Sequence, residues 1–366
     1  MRPRTLAATT LALLACSACD VEGANDPVFR EVMVGGGTVF NTNQIEQVAF
    51  SELAQPMGQP HQGIKLMKVE VIGKNNVPIG IHDFRLDDGA IVAVNYYGHE
   101  YRGAKLLGSR WLLADEQTFR ATMRITLAGL DSDDGTPHYK FQHKAGNLWI
   151  DNCAPETVNG MFKPGFVRVL SGFTLDENSG ELTAANHMTF LACSSGAVGK
   201  AAKWGYYDLG AQLFSASLVG PADTINPLDP IDPVGPLEAS VIDEPLEPAI
   251  DIKQIEFEPF EPFELAIRVV RADYCYDGHS WTKPGIPLLI EDVWDVRAPD
   301  PGRTIEAVWG ANGLICAGTG RFAADIHSLC APSVPACGGP SSSLSDYPGG
   351  LIMTRIPWSI TDDEMK

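Results

Sequence analysis

Residues 117–127 read Gln-Thr-Phe-Arg-Ala-Thr-Met-Arg-Ile-Thr-Leu, and their order decides the fold class. Phe119, Ala121, Met123, Ile125 and Leu127 alternate with Arg120, Thr122, Arg124 and Thr126. A period of two puts each set on its own face of a β-strand, so the apolar set is expected to face a core and the polar set solvent. Working outward, Lys65 to Ile72 repeats the pattern, with Met67, Val69 and Val71 on the expected inner face and Lys68 and Glu70 on the outer. Asp88-Gly89 stands between His82–Leu86 and Ile91–Tyr97, the signal of a tight hairpin. A second hairpin is expected where Phe166–Leu175 and Glu181–Ala192 flank Asp176-Glu177-Asn178-Ser179-Gly180. Further strands are expected at Pro287–Val296 and Thr304–Trp309, and short helices at Ala197–Trp204 and around Phe322, Ile326 and Leu329. The expected class is mainly β, a disulfide-stapled sandwich- or barrel-like architecture with few short helices.

The first residues read as an export signal. Arg2 and Arg4 precede an apolar run from Leu6 to Ala15, too short to stay in a bilayer as a spanning helix. Leu13-Leu14-Ala15-Cys16 resembles the lipobox of bacterial lipoproteins, which makes Cys16 the expected site of lipidation. Cys19 is the alternative: with it as the first mature residue, Cys153, Cys193, Cys275, Cys316, Cys330 and Cys337 remain as an even set behind it. Residues 1–18 are therefore assigned to a lipoprotein-type signal peptide, and the mature chain to a bacterial membrane, facing periplasm or cell surface. In that compartment the six later cysteines are expected to be oxidised. The connectivity is open; neighbourhood along the chain suggests Cys153–Cys193, Cys275–Cys316 and Cys330–Cys337.

Charge narrows the partners. The 366 residues hold 27 Lys and Arg against 46 Asp and Glu, a formal net charge of −19. Nucleic acid is excluded as a partner, because its phosphates must be met by clustered cations. The expected contacts are the membrane, through the N-terminal lipid anchor, and an envelope protein or glycan. Between Pro221 and Pro262 the chain holds nine prolines among many acidic groups. Proline cannot donate to a sheet ladder and like charges repel, so residues 216–262 are expected to form an extended, exposed insertion. Phe257, Phe260 and Phe263 are the residues through which such a strip would take a partner.

Beyond the insertion stands Arg271-Ala272-Asp273-Tyr274-Cys275-Tyr276-Asp277-Gly278-His279-Ser280-Trp281-Thr282. This block, with Phe190 to Lys200 and Trp204-Gly205-Tyr206 upstream, resembles the ADYC-domain family of exported bacterial proteins, named for its tetrapeptide. Arg271, Ala272, Asp273, Tyr274, Cys275, Asp277 and Gly278 carry the resemblance. It implies four parts: an N-terminal β region at 28–145, an ADYC-like domain at 146–340 interrupted by the insertion, a C-terminal tail at 341–366, and the leader. Where relatives carry two further cysteines, this chain has Ala201 and Ala266. The resemblance implies no activity.

Candidate chemistry is sparse. Cys275, Asp277 and His279 are close in sequence, and a Cys–His pair can make a thiol nucleophile, but an oxidised cysteine has no thiolate to offer. Asp277-Gly278 reads as a turn after a strand, with Asp273 and Tyr274 bonding the local backbone. A ligand pocket edged by Tyr274, His279 and Trp281 is the sharper reading of the same residues. Asp131-Ser132-Asp133-Asp134-Gly135 departs from the calcium-loop spacing, with Gln142 where the bidentate Glu belongs. Neither HExxH, GxSxG nor a phosphate-binding Gly-rich loop occurs, so no catalytic residue, metal or cofactor is implied. Tyr96, Tyr97 and Tyr101 could bind glycans or pack on neighbouring strands. The expected function is a non-catalytic envelope lipoprotein serving binding, adhesion or structure. The alternative is a secreted hydrolase of polysaccharide or peptide, recognisable by paired carboxylates or converging His and Asp ligands in a cleft.

Overall fold

A computed structural model describes residues 39–40, 42–45, 52–54, 64–87, 89–115, 120–130, 136–158, 161–163, 165–176, 178–210, 260–297, 302–321, 326–329 and 333–357. The leader, the lipidation candidates, the loop at 131–135 and Phe257 lie outside them. The first strands are β1 (Val39–Phe40), β2 (Glu52–Ala54), β3 (Ile64–Ile72), β4 (Pro78–Asp87), β5 (Ala90–Asn95) and β6 (Glu100–Tyr101). Next come β7 (Arg110–Asp115), β8 (Arg120–Leu130), β9 (Pro137–Ala145), β10 (Leu148–Asp151), β11 (Glu156–Val158) and β12 (Met161–Lys163). Then follow β13 (Val167–Leu175), β14 (Leu182–Cys193) and the helices α1 (Ala197–Lys203) and α2 (Glu261–Arg271). The chain ends with β15 (Pro287–Asp292), β16 (Thr304–Gly310), β17 (Gly313–Ala317), α3 (Ile326–Leu329) and β18 (Ile352–Ile356).

Two antiparallel sheets carry the fold. The larger runs β2-β14-β13-β9-β8-β7-β3-β4-β5-β6, with β10 added on β9. The smaller runs β1-β15-β18-β16-β17, and β11 pairs β12 separately. The large sheet has two ends, so the barrel alternative gives way to open sheets. It also runs across residue 145, through the pairing of β9 with β13. The stretch read as a tail is not peripheral: β18 lies between β15 and β16, buried along its length.

Alternation holds except where a bulge resets it. Met123 and Ile125 of β8 are fully buried, but Leu127 is 41% exposed. The register of β8 on β9 shifts between Ile125 and Leu127, and one extra residue turns the rest of the strand over. The same happens in β3, where a shift between Leu66 and Lys68 buries Leu66 and leaves Met67 48% exposed. The sequence reading of both positions is corrected by these bulges, which a period-two pattern does not announce. Under the sheet, Phe84, Trp111, Phe141 and Tyr139 pack edge to face at 5.4 to 6.2 Å. Each buried side chain of this size contributes roughly 1.5–3 kcal/mol.

The β13–β14 hairpin serves two cores. Val167, Val169, Leu191 and Cys193 face the first core, while Leu170, Phe190 and Ala192 face the second. A register shift between Ser171 and Gly172 then keeps Phe173 and Leu175 on the second side. There Phe173 gathers Phe190, Phe260 and Phe263 at 5.1 to 5.7 Å. Phe260 and Phe263 are thus core residues, which corrects their reading as anchors of an exposed strip. Phe260 caps and Phe263 lies in α2, which the periodicity of Phe263, Ile267 and Val270 encodes but the adjoining prolines disguise. Pro262 sits in its first turn, where no backbone N–H is needed, with Glu261 and Glu264 at the N-terminal end and Arg268 and Arg271 at the other.

Helix α1 starts immediately after β14, and Gly199 is the reason it can. A Cβ there would lie 2.1 Å from the Cys193 carbonyl oxygen. Gly199→Ala is expected to destabilise the fold by about 1–3 kcal/mol or more through overpacking. Gly80→Ala, where nothing lies within 4 Å of the new methyl, should stay within about 0.5 kcal/mol of wild type in urea denaturation.

Candidate functional site

The signature begins at the end of α2. Ala272 takes the left-handed conformation (φ 55°) where glycine is the usual choice, and its N–H reaches the Val269 carbonyl at 3.2 Å. The Asp273 N–H bonds the Arg268 carbonyl at 3.0 Å, completing the cap. Further bonds to the helix-end carbonyls come from later in the chain. Arg321 donates from Nη2 to Val269 (2.8 Å) and from Nη1 to Val270 (3.2 Å), and the Ser280 hydroxyl donates to Arg271 (2.7 Å). The signature turn therefore follows a helix, not the strand expected from sequence. A buried helix end needs such a complete set of partners, because water cannot supply them.

Asp273 is fully buried and organises the turn. Its carboxylate takes Arg268 Nη1 at 2.9 Å and accepts the backbone N–H groups of Asp277 and Gly278 at 3.2 Å. Burial pushes its pKa above the usual value, against the pull of Arg268 and Arg271. Asp277 is the exposed carboxylate and only closes a small turn, accepting the His279 N–H at 2.9 Å. Gly278 (φ 80°) is pressed on the β13–β14 turn: a Cβ there would lie 2.0 Å from the Asn178 carbonyl oxygen. Arg271 donates to the Gly278 carbonyl at 2.5 Å, and burial lowers its pKa.

Tyr274 points the other way, into the core between α2 and the small sheet. It stacks on Trp309 at 5.4 Å and donates to Glu306 Oε1 at 2.5 Å. Glu306 in turn takes Arg321 at 2.7 and 3.1 Å, and neither side chain of that pair has any exposure. Burial and the nearby Glu306 charge raise the Tyr274 pKa well above the ordinary phenol value, so its proton stays put. Tyr274 cannot edge a ligand pocket beside His279 and Trp281, as one sequence reading had it. Tyr276 donates to the Gly310 carbonyl at 2.6 Å and adds a second tie to the small sheet.

Two disulfides are described. Cys153–Cys193 pins the start of the β11 region to the end of β14. Cys316–Cys337 joins β17 to the loop before β18. The second corrects the sequence pairing, which had given Cys316 to Cys275 and Cys337 to Cys330. Cys275 is itself disulfide-bonded, which removes it as a nucleophile. The upstream family block is equally committed. Tyr206 donates to Asp292 at 2.8 Å, Asp292 accepts three backbone N–H groups at 2.8 to 3.2 Å, and Arg297 reaches the Trp204 carbonyl at 3.3 Å. Ala201 and Ala266 are both fully buried, on helices α1 and α2 that pack together in the second core.

Elsewhere, Gln142 lies in β9 and bonds Arg124 and Asp151. Tyr101 accepts from Asn95 Nδ2 at 3.3 Å, whereas Tyr96 and Tyr97 on the β5–β6 turn are 77% and 86% exposed. Among the described residues, no group of three or more His, Cys, Asp and Glu is placed to hold a metal ion. No described helix is long and apolar enough to cross a membrane.

The class these features define is a mainly β, disulfide-braced extracytoplasmic protein whose signature is a buried corner. The ADYC domain model matches residues 103–218 and 254–323, more than half of the chain, and the protein belongs to that family. The unmatched 219–253 falls inside the acidic, proline-rich stretch. No curated protein and no solved structure matches the chain.

Three outcomes are expected. Non-reducing peptide mapping should recover Cys153–Cys193, Cys316–Cys337 and, by cysteine count, a third bridge from Cys275 to Cys330; a Cys275 thiol open to alkylation would restore the nucleophile reading. Arg321→Met, which leaves the Glu306 charge unpaired, should cost about 3–5 kcal/mol in denaturant unfolding, and Tyr274→Phe about 1 kcal/mol. Because the folded pKa of Asp273 is raised, its contribution is fully present below the unfolded value near 3.8 and is lost as pH rises through the folded pKa. Asp273→Asn should remove that part of the pH dependence, while Asp273→Ala, which leaves two N–H groups open, should be the more destabilising of the two.

Proposed function

We propose that this protein is a lipid-anchored, non-catalytic binding or structural module of a bacterial cell envelope, held by an acylated Cys16 or Cys19. One observation carries the non-catalytic part: the reactive groups of the family signature are consumed in the fold. Cys275 is bonded to sulfur, Asp273 caps a buried turn, and Tyr274 is locked to Glu306 and Arg321. None of the three offers a lone pair or a proton to a substrate. The anchor is supported by the lipobox-like leader and by the disulfides, which require an oxidising compartment. Exposed aromatic rings at Tyr96 and Tyr97 support contact with a glycan or envelope protein.

Growth with a labelled fatty acid tests the anchor. Wild-type protein should carry label and fractionate with membrane, and only one of Cys16→Ser and Cys19→Ser should abolish both. An unlabelled wild type would overturn the anchor. Release of products from envelope polysaccharide or peptide by the purified protein would overturn the non-catalytic reading.

A further inference from the structure

The outer face of the large sheet is cationic in a chain with an excess of acid. Strand register sets Glu70, Arg110, Arg124, Gln142 and Asp151 in one row across β3, β7, β8, β9 and β10. The two carboxylates of this row are already taken. Glu70 pairs with Lys68 at 2.5 Å, and Asp151 with Lys140 at 2.9 Å and Gln142 at 2.6 Å. Arg110 and Arg124, directly opposite each other on neighbouring strands, have no carboxylate partner among the described residues. Like charges in directly opposed positions destabilise a sheet, so a row with both carboxylates diverted elsewhere is poor for stability. It is suited to an anion bridging the two guanidinium groups, Arg110 through an oxygen pair and Arg124 through the Nη1 side left when Nε and Nη2 bond Gln142.

The same face carries an aromatic ring. Arg124 lies 4.1 Å over the partly exposed Trp149 and is held there by Gln142 Oε1 at 2.9 and 3.1 Å. Lys144, exposed, is the cross-strand neighbour of Trp149. An indole offers the C–H face of a pyranose an apolar surface, and the bonded amide and carboxylate beside it suit hydroxyl groups. A long polyanion would meet the repulsion of a chain whose formal net charge is −19. A short acidic sugar would feel mainly the local row, since charges beyond about 8 Å are screened at physiological salt.

We infer that the outer face of β7, β8, β9 and β10 binds an acidic oligosaccharide, its carboxylate or phosphate between Arg110 and Arg124 and a sugar ring against Trp149. This deepens the binding role proposed above and rests on it. The test is calorimetric titration of the full-length protein with oligogalacturonate, with maltohexaose as the neutral probe, and vesicle co-sedimentation with phosphatidylglycerol. Oligogalacturonate should bind, more weakly as salt rises, and maltohexaose should not. Arg110→Gln/Arg124→Gln and Trp149→Ala should each weaken binding at least tenfold. Equal binding of the neutral sugar or no binding of the acidic one would overturn the inference. So would arginine-dependent capture by phosphatidylglycerol vesicles without oligosaccharide binding, which would make the face a lipid surface. The anchor is read separately by labelling, so a negative titration falls on the sugar assignment and leaves the lipoprotein reading standing.

Discussion

Glu306 and Arg321 are opposite charges with no access to water, and each is tolerable only because of the other. Removing an ion from water costs several kcal/mol even after relaxation, so such a pair must also fill its remaining hydrogen-bonding capacity. Glu306 does so with Tyr274, and Arg321 with the carbonyls of Val269 and Val270 at the end of α2. One ion pair therefore fixes three elements together: β16, the C-terminal end of the helix, and the corner that follows it. An apolar contact of equal area would hold them together without dictating direction, whereas these bonds work in one arrangement only.

The family tetrapeptide reads, on this footing, as a set of structural duties. Ala272 accepts the left-handed turn, Asp273 caps it, Tyr274 reaches the ion pair and Cys275 is stapled. Gly278 follows because the Asn178 carbonyl leaves no room for a side chain. The chemistry that looks attractive in sequence, a cysteine and a histidine four residues apart with an acid between, is dispersed by the fold: Cys275 is bonded and His279 is turned out toward Trp281 at 4.5 Å. What is left for recognition is surface, and the surface differs from the chain average. The protein is acidic overall, yet the outer row of its main sheet sets side by side two guanidinium groups that have no carboxylate partner among the described residues, next to an indole.

The β13–β14 hairpin shows how two cores are made from one element. Before the bulge at Ser171 and Gly172, alternate residues serve alternate cores; after it, Phe173 and Leu175 remain on the side where α2 packs. Residues 186–188 of β14 fall between the partners of Ser171 and Gly172, and this break in register decides which core receives the largest aromatic cluster.

Much of this was legible in the order of residues. Period-two alternation in 117–127, the Asp-Gly hairpin and the turn at 176–180 announce antiparallel strands, because side-chain direction in a strand depends only on local geometry. The cysteines and the acidic, proline-rich stretch announce compartment and interruption by composition alone, and the family signature stands in the sequence. Bulges were not legible: they depend on which neighbour a strand pairs with, so Met67 and Leu127 were placed on the wrong face. Helix α2 was hidden because its proline, Pro262, is harmless only in a first turn, a position that the packing of Phe260 and Phe263 decides. Disulfide partners and the Glu306–Arg321 pair join residues far apart in sequence, and the Arg110–Arg124 row is a property of register across strands. Sequence by itself determined the strand pattern and the family, and its cysteines pointed to an oxidising compartment. Tertiary structure alone decided which charges meet, which cysteines close and which cations are left facing solvent, because those depend on distances between segments that local patterning does not encode.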